Sequence, residues 1–91
     1  MDIGYVWDNE KYEAVKEKHG VYFYEVVSAF EDPNGFIEAD PANHRDRWMW
    51  VGMTVTDRIL SIICTDEDLP SFRIITAFEA PEKWIDEYEK Q

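Results

Sequence analysis

The run Ile59-Leu60-Ser61-Ile62-Ile63-Cys64 constrains the fold of this chain more than any other segment. Apolarity that is nearly unbroken over one strand length marks a strand with little access to water. Arg58 to Thr65 is therefore expected at the centre of a sheet. Arg47-Trp48-Met49-Trp50-Val51-Gly52-Met53 and Phe72-Arg73-Ile74-Ile75-Thr76-Ala77 read as its companions. Phe36-Ile37-Glu38 and Tyr5-Val6-Trp7 are shorter strands. Between them lie a turn at Thr56-Asp57, a polar loop from Asp40 to Asp46, and a turn from Asp66 to Pro70.

Three segments carry helical signals instead. Asp8 suits an N-cap, opening a helix from Asn9 to about Lys18, and Gly20 follows where a left-handed terminator is expected. Tyr12, Val15 and His19 share one face of that helix, flanked by Lys11 and Lys18. Phe23, Val26, Val27 and Phe30 repeat at helical spacing from Tyr22 to Phe30, and Glu31-Asp32-Pro33-Asn34-Gly35 turns the chain afterwards. A last helix begins at Pro81 and turns Trp84, Ile85 and Tyr88 inward. The order is one strand, two helices, several meandering strands and one helix. It predicts an α+β domain in which helices pack on a small antiparallel sheet of about four strands.

Ninety-one residues suffice for one domain, residues 1–91. The single cysteine, Cys64, excludes an internal disulfide and a multi-cysteine metal centre, and its apolar neighbours predict a buried strand position. His44 has no second His or Cys near it in sequence, and Asp66-Glu67-Asp68 lacks the EF-hand spacing, so neither suggests a metal site. No metal or cofactor is expected. No apolar stretch is long enough to span a bilayer, and Met1-Asp2-Ile3-Gly4 does not resemble a signal peptide, so a cytoplasmic location is expected. Twenty Asp and Glu against nine Lys and Arg favour basic partners, and confine any polyanion to a local cluster of cations.

One further pattern spans the chain. Trp7-Asp8, Lys11 and Lys18-His19-Gly20-Val21 with Phe23 resemble the amino-terminal signature of the BrnT family, the toxin half of a bacterial type II toxin-antitoxin pair. The resemblance continues through Phe30-Glu31-Asp32-Pro33, through Arg47 and Gly52, through Arg58-Ile59-Leu60, and through Arg73-Ile74-Ile75-Thr76-Ala77. It implies a RelE-like ribonuclease fold, cleavage of RNA without a metal, and a cognate antitoxin that neutralises the toxin in a heterotetramer. Under this resemblance Arg47, Arg58, Arg73 and Lys18 are the candidates for holding phosphate. His19, Lys11 and Tyr88 are the candidates for proton transfer or charge stabilisation.

The chain departs from the family pattern in three places. Val15 stands where the family has Asn, Phe78 where it has Arg after the last strand, and the last helix is acidic where the family's is basic. From Asp66 onward eight acidic residues face three basic ones. These departures motivate an alternative reading, a catalytically degenerate member of the fold that acts as an acidic protein-binding module. The residue types also admit plainer roles. His19 can serve the helix end, Arg58 and Arg73 can pair with carboxylates, and Trp48 and Trp50, which share one strand face, can belong to the core.

Overall fold

The computed structural model describes residues 4–42, 44–65 and 71–91. The predicted turn from Asp66 to Pro70, Met1 to Ile3 and loop residue Asn43 lie outside the described residues. The elements run β1 (Gly4–Trp7), α1 (Asn9–His19), α2 (Phe23–Phe30), β2 (Phe36–Ala39), β3 (Trp48–Met53), β4 (Ile59–Thr65), β5 (Ser71–Glu79) and α3 (Glu82–Glu89). The architecture is α+β, as the order of patterns predicts.

The five strands form one sheet in the order β1-β5-β4-β3-β2, so β4 is central, as its apolarity requires. The pairs β2–β3, β3–β4 and β4–β5 are antiparallel. The sheet differs from the expected four-stranded antiparallel one in a single respect. β1 joins it parallel to β5, pairing Gly4 through Trp7 with Ser71 through Ile74. The meander rule does not anticipate this contact, because β1 reaches its partner through the whole intervening fold.

Two buried clusters cover the two faces of the sheet. Val15 of α1 and Val26 and Ala29 of α2 pack with Trp7, Leu60, Ile62, Ile74 and Ala77. Met49, Val51 and Ile63 form the other cluster, against which Phe36, Ile59, Phe78 and Trp84 of α3 are packed. Trp50 stacks on Phe30 and donates its indole N–H to the Ala29 carbonyl at 2.7 Å. Trp48 meets Phe72 edge-on, so both tryptophans serve packing. Cys64 is fully buried.

The local signals behave as their chemistry demands. Asp8 accepts from the Glu10 and Lys11 N–H groups and caps α1. Gly20 ends that helix at φ 65°, a conformation that costs glycine little. Pro81 sits one position earlier than expected, as the N-cap of α3. Trp84, Ile85 and Tyr88 are half-buried, and no residue of α3 is fully buried.

Candidate functional site

β1 ends at Trp7, beside Ile74, and α1 takes over the flank of β5 from that point. Positions 11, 14, 15 and 18 of a helix lie in one stripe. In α1 that stripe is Lys11, Ala14, Val15 and Lys18. It borders a groove of about 300 Å³ whose remaining lining comes from His19, Ile75 and Thr76. The floor is apolar and the rim is cationic.

β5 contributes through an irregularity. Ile63 pairs with Thr76 and Cys64 with Ile74, so Ile75 is an extra residue without a partner on β4. Such a bulge bends the strand and redirects side chains. Here it places Ile75 and Thr76 in consecutive positions along the groove.

Lys11, Lys18 and His19 are exposed, and among the described residues neither lysine is in an ion pair. The His19 ring lies 6.1 Å from the Phe78 ring. Phe78 thus borders the imidazole with an apolar surface.

The other sequence-derived candidates stand elsewhere. Arg58 precedes β4, whereas Arg73 pairs with Thr65 at its far end, and Arg47 precedes Trp48, the partner of Cys64. The length of β4, about 20 Å by strand rise, separates Arg58 from the other two. Arg47 and Arg73 are half-buried. Tyr88 donates its hydroxyl to Asp32 Oδ2 at 2.5 Å, at the turn after α2. Burial and the adjacent Asp32 carboxylate push its phenol up to about 12. Of the seven candidates, therefore, three line one groove and four do not.

Arg58 is held by acceptors. Its Nη1 donates to the Gly20 carbonyl at 2.9 Å and to both Glu25 oxygens at 3.2 and 3.3 Å. Its Nη2 donates to the His19 carbonyl at 3.4 Å, and its Nε to the exposed Glu79 at 3.4 Å. Glu25 is 2% exposed and also accepts from the Tyr22 N–H and the Thr56 hydroxyl. Burial would raise its carboxyl, but the Thr56, Tyr22 and Arg58 donors outweigh that cost and hold it below the usual carboxylate range. The alternative in which Arg58 pairs with a carboxylate is the one realised.

His44 belongs to a loop staple. Its Nδ1 lies 2.7 Å from Oδ2 of the buried Asp40, which also accepts from the Ala42 and His44 N–H groups. Among the described residues, no three His, Cys, Asp or Glu side chains gather as a metal site would require. Sequence reasoning missed Glu25, Ile75 and Thr76. A glutamate at the third position of an apolar helix was a signal for the first. The bulge has no sequence signal, because Ile75 reads as one more strand residue.

The model of the family described as "Ribonuclease toxin, BrnT, of type II toxin-antitoxin system" matches residues 7–83. Among curated proteins, none matches the chain. A crystal structure of the Brucella abortus ribonuclease toxin BrnT is similar in fold, with a TM-score of 0.63 at 20% identity. That alignment covers 89% of this chain and 100% of the Brucella chain. The family match takes in every candidate but Tyr88, together with the groove that Lys11, Lys18 and His19 border, and this chain belongs to the BrnT family of ribonuclease toxins of type II toxin-antitoxin systems.

Proposed function

We propose that the groove between α1 and β5 binds single-stranded RNA and cleaves it, and that an antitoxin restrains this activity. The observation that carries the reading is the convergence of Lys11, Lys18 and His19 on one concavity of an otherwise acidic molecule. In this reading Lys18 holds the scissile phosphate. His19 takes the proton of the 2′-hydroxyl as that oxygen attacks the adjacent phosphorus. The bond from phosphorus to the 5′ oxygen breaks, and Lys11 gives the leaving oxygen its proton. The products are a 2′,3′-cyclic phosphate and a 5′-hydroxyl. Charge is borne by the chain's own cations rather than by a metal. Arg47 and Arg73, at the far end of β4, serve flanking phosphates.

A type II family implies an antitoxin partner. The net charge of −11 suits a partner with a basic surface, and a heterotetramer of two toxins and two antitoxins is the expected assembly. Cleavage is tested by incubating the purified protein with single-stranded RNA. Cyclic-phosphate ends are expected, with no cleavage where the scissile nucleotide is 2′-deoxy. The reading fails if no RNA is cut at any salt or pH and expression leaves growth unchanged.

The acidic-module alternative also has an observation in its favour. Arg58 is bound by Glu25 and Glu79, and Tyr88 by Asp32, which removes two candidates from the groove. It predicts a folded protein that binds a basic partner and leaves RNA intact.

A further inference from the structure

We infer that Arg58, anchored on the buried Glu25, is a positioning residue that fixes the corner carrying His19, and is not a ligand for RNA phosphate. This rests on the reading of the α1–β5 groove as the cleavage site. The geometry is specific. One guanidinium reaches the His19 and Gly20 carbonyls, the last acceptors of α1, and also the Glu25 carboxylate in the first turn of α2.

The end of a helix has carbonyls without intrahelical partners, and a cation there is favoured by the helix dipole. Arg58 supplies that cation from a distant part of the chain. Glu25 fixes the guanidinium in turn, because its own remaining acceptor capacity is taken by Tyr22 and Thr56. Five hydrogen bonds tie the guanidinium to four residues. At its Nη1 edge an RNA phosphate would have to displace a carboxylate that is itself 2% exposed, and at its Nε edge it would have to replace the exposed Glu79.

What the clamp controls is the placement of one imidazole. His19 is the last residue of α1, where a helix frays most readily, and Gly20 behind it offers little resistance. His19 lines the groove together with Lys18, and its ring lies 6.1 Å from that of Phe78. A displacement of about 1 Å at such a site costs on the order of 10²-fold in rate.

The test compares the wild type with Arg58→Gln, Glu25→Gln, the double variant and Arg58→Lys, all checked for folding by thermal melting. Cleavage kinetics are measured on single-stranded RNA. Affinity is measured on a 2′-O-methyl RNA of the same sequence, which cannot be cut, over a range of salt. Positioning predicts that each Gln variant loses about 10²-fold in kcat with KM unchanged. The double variant then loses no more than either single one, and Arg58→Lys recovers part of the loss. The salt dependence of affinity stays at the wild-type slope. A phosphate ligand predicts otherwise: Arg58→Gln would flatten that slope by about 0.7, and Glu25→Gln, by releasing the arginine, would tighten binding. Either of those results overturns the inference.

Should the wild type cut no RNA, the functional reading falls. The inference is then decided by the affinity slopes together with the His19 ring signals by NMR. Unchanged slopes with His19 signals moved by both Gln substitutions support it. Altered slopes or unmoved signals overturn it.

Discussion

The hydroxyl of Tyr88 donates to Asp32, a residue 56 positions earlier, and this bond joins α3 to the turn that follows α2. Asp32 also accepts from the Met53 and Asn34 N–H groups, so a single carboxylate gathers a helix, a strand end and a turn. Tyr88→Phe removes one donor from a carboxylate that keeps two. The expected loss of stability is about 1–2 kcal/mol. Because Tyr88 is absent from the lining of the α1–β5 groove, kcat is expected to be retained. Chemical denaturation and cleavage kinetics on the same preparation check this. A large loss of kcat with stability intact would return Tyr88 to the catalytic site.

Stability should fall at both ends of the pH range, for different reasons. The phenol of Tyr88 ionises at about 12 in the fold against an ordinary 10.0. A raised folded value means that the contribution is complete below the ordinary one and is lost as pH climbs toward 12. Glu25, Asp32 and Asp40 have the opposite sign. Burial opposes ionisation in each, but their hydrogen-bond donors outweigh it and hold the carboxyls below their ordinary values. Their contribution is present above about pH 4 and is lost as pH falls through the folded values. Burial and Glu31 also raise the Tyr5 phenol, so melting temperature against pH, with Tyr88→Phe as the control, should show the Tyr88 part of the alkaline loss vanish in the variant, and the Tyr5 part and the Glu25 and Asp40 part of the acid loss remain.

Lys11 and Lys18 should account for a countable part of RNA binding. Each contact to a single-stranded phosphate contributes about 0.7 to the slope of log affinity against log salt. Lys11→Ala and Lys18→Ala are each expected to lower the slope by about that amount. His19→Gln should leave affinity nearly unchanged and lower kcat by roughly 10²–10⁴-fold, the usual range for a lost acid-base group. Fluorescence anisotropy across salt and single-turnover cleavage separate the two effects. An unchanged slope in both lysine variants would place the RNA elsewhere.

Gly52 should tolerate no side chain. A Cβ added there would lie 2.4 Å from the Ala29 carbonyl oxygen and 2.6 Å from the Trp50 Nε1, the two atoms that bond one another. The carbonyl belongs to α2 and cannot move without shifting the helix. Gly52→Ala is therefore expected to cost about 2–3 kcal/mol or more, through overpacking and the disturbed indole bond. Loss of the native tryptophan fluorescence at a lower denaturant concentration would register it. A variant as stable as the wild type would show that α2 is free to retreat from β3.

Much of the frame was legible in the residues because its signals are local. Asp8 caps a helix with its own side chain, Gly20 ends it through its own φ, and the run from Ile59 to Cys64 demands burial whatever surrounds it. β1 was legible as a strand but not as a sheet member, because its partner lies about seventy residues away and no short-range signal announces a parallel pairing. Part of the site was legible for the same local reason. Lys11 and Lys18 share a helical stripe by spacing alone, and His19 closes that helix.

The fate of the remaining cations was decided by tertiary contacts. Arg58 reads in sequence as a partner for a phosphate or for a carboxylate, and the packing of α2 on the sheet places the Glu25 carboxylate 3.2 Å from it. Tyr88, a candidate for proton transfer or charge stabilisation, is bonded to Asp32 because α3 docks against the turn that contains it. The sequence by itself determined the kinship, the helix and strand segments and the stripe of lysines, since these depend on neighbours within a few positions. Only the tertiary structure decided which charges neutralise one another and which remain available. A charge is neutralised by whatever acceptor the fold brings within about 3 Å, and that acceptor lies dozens of residues away.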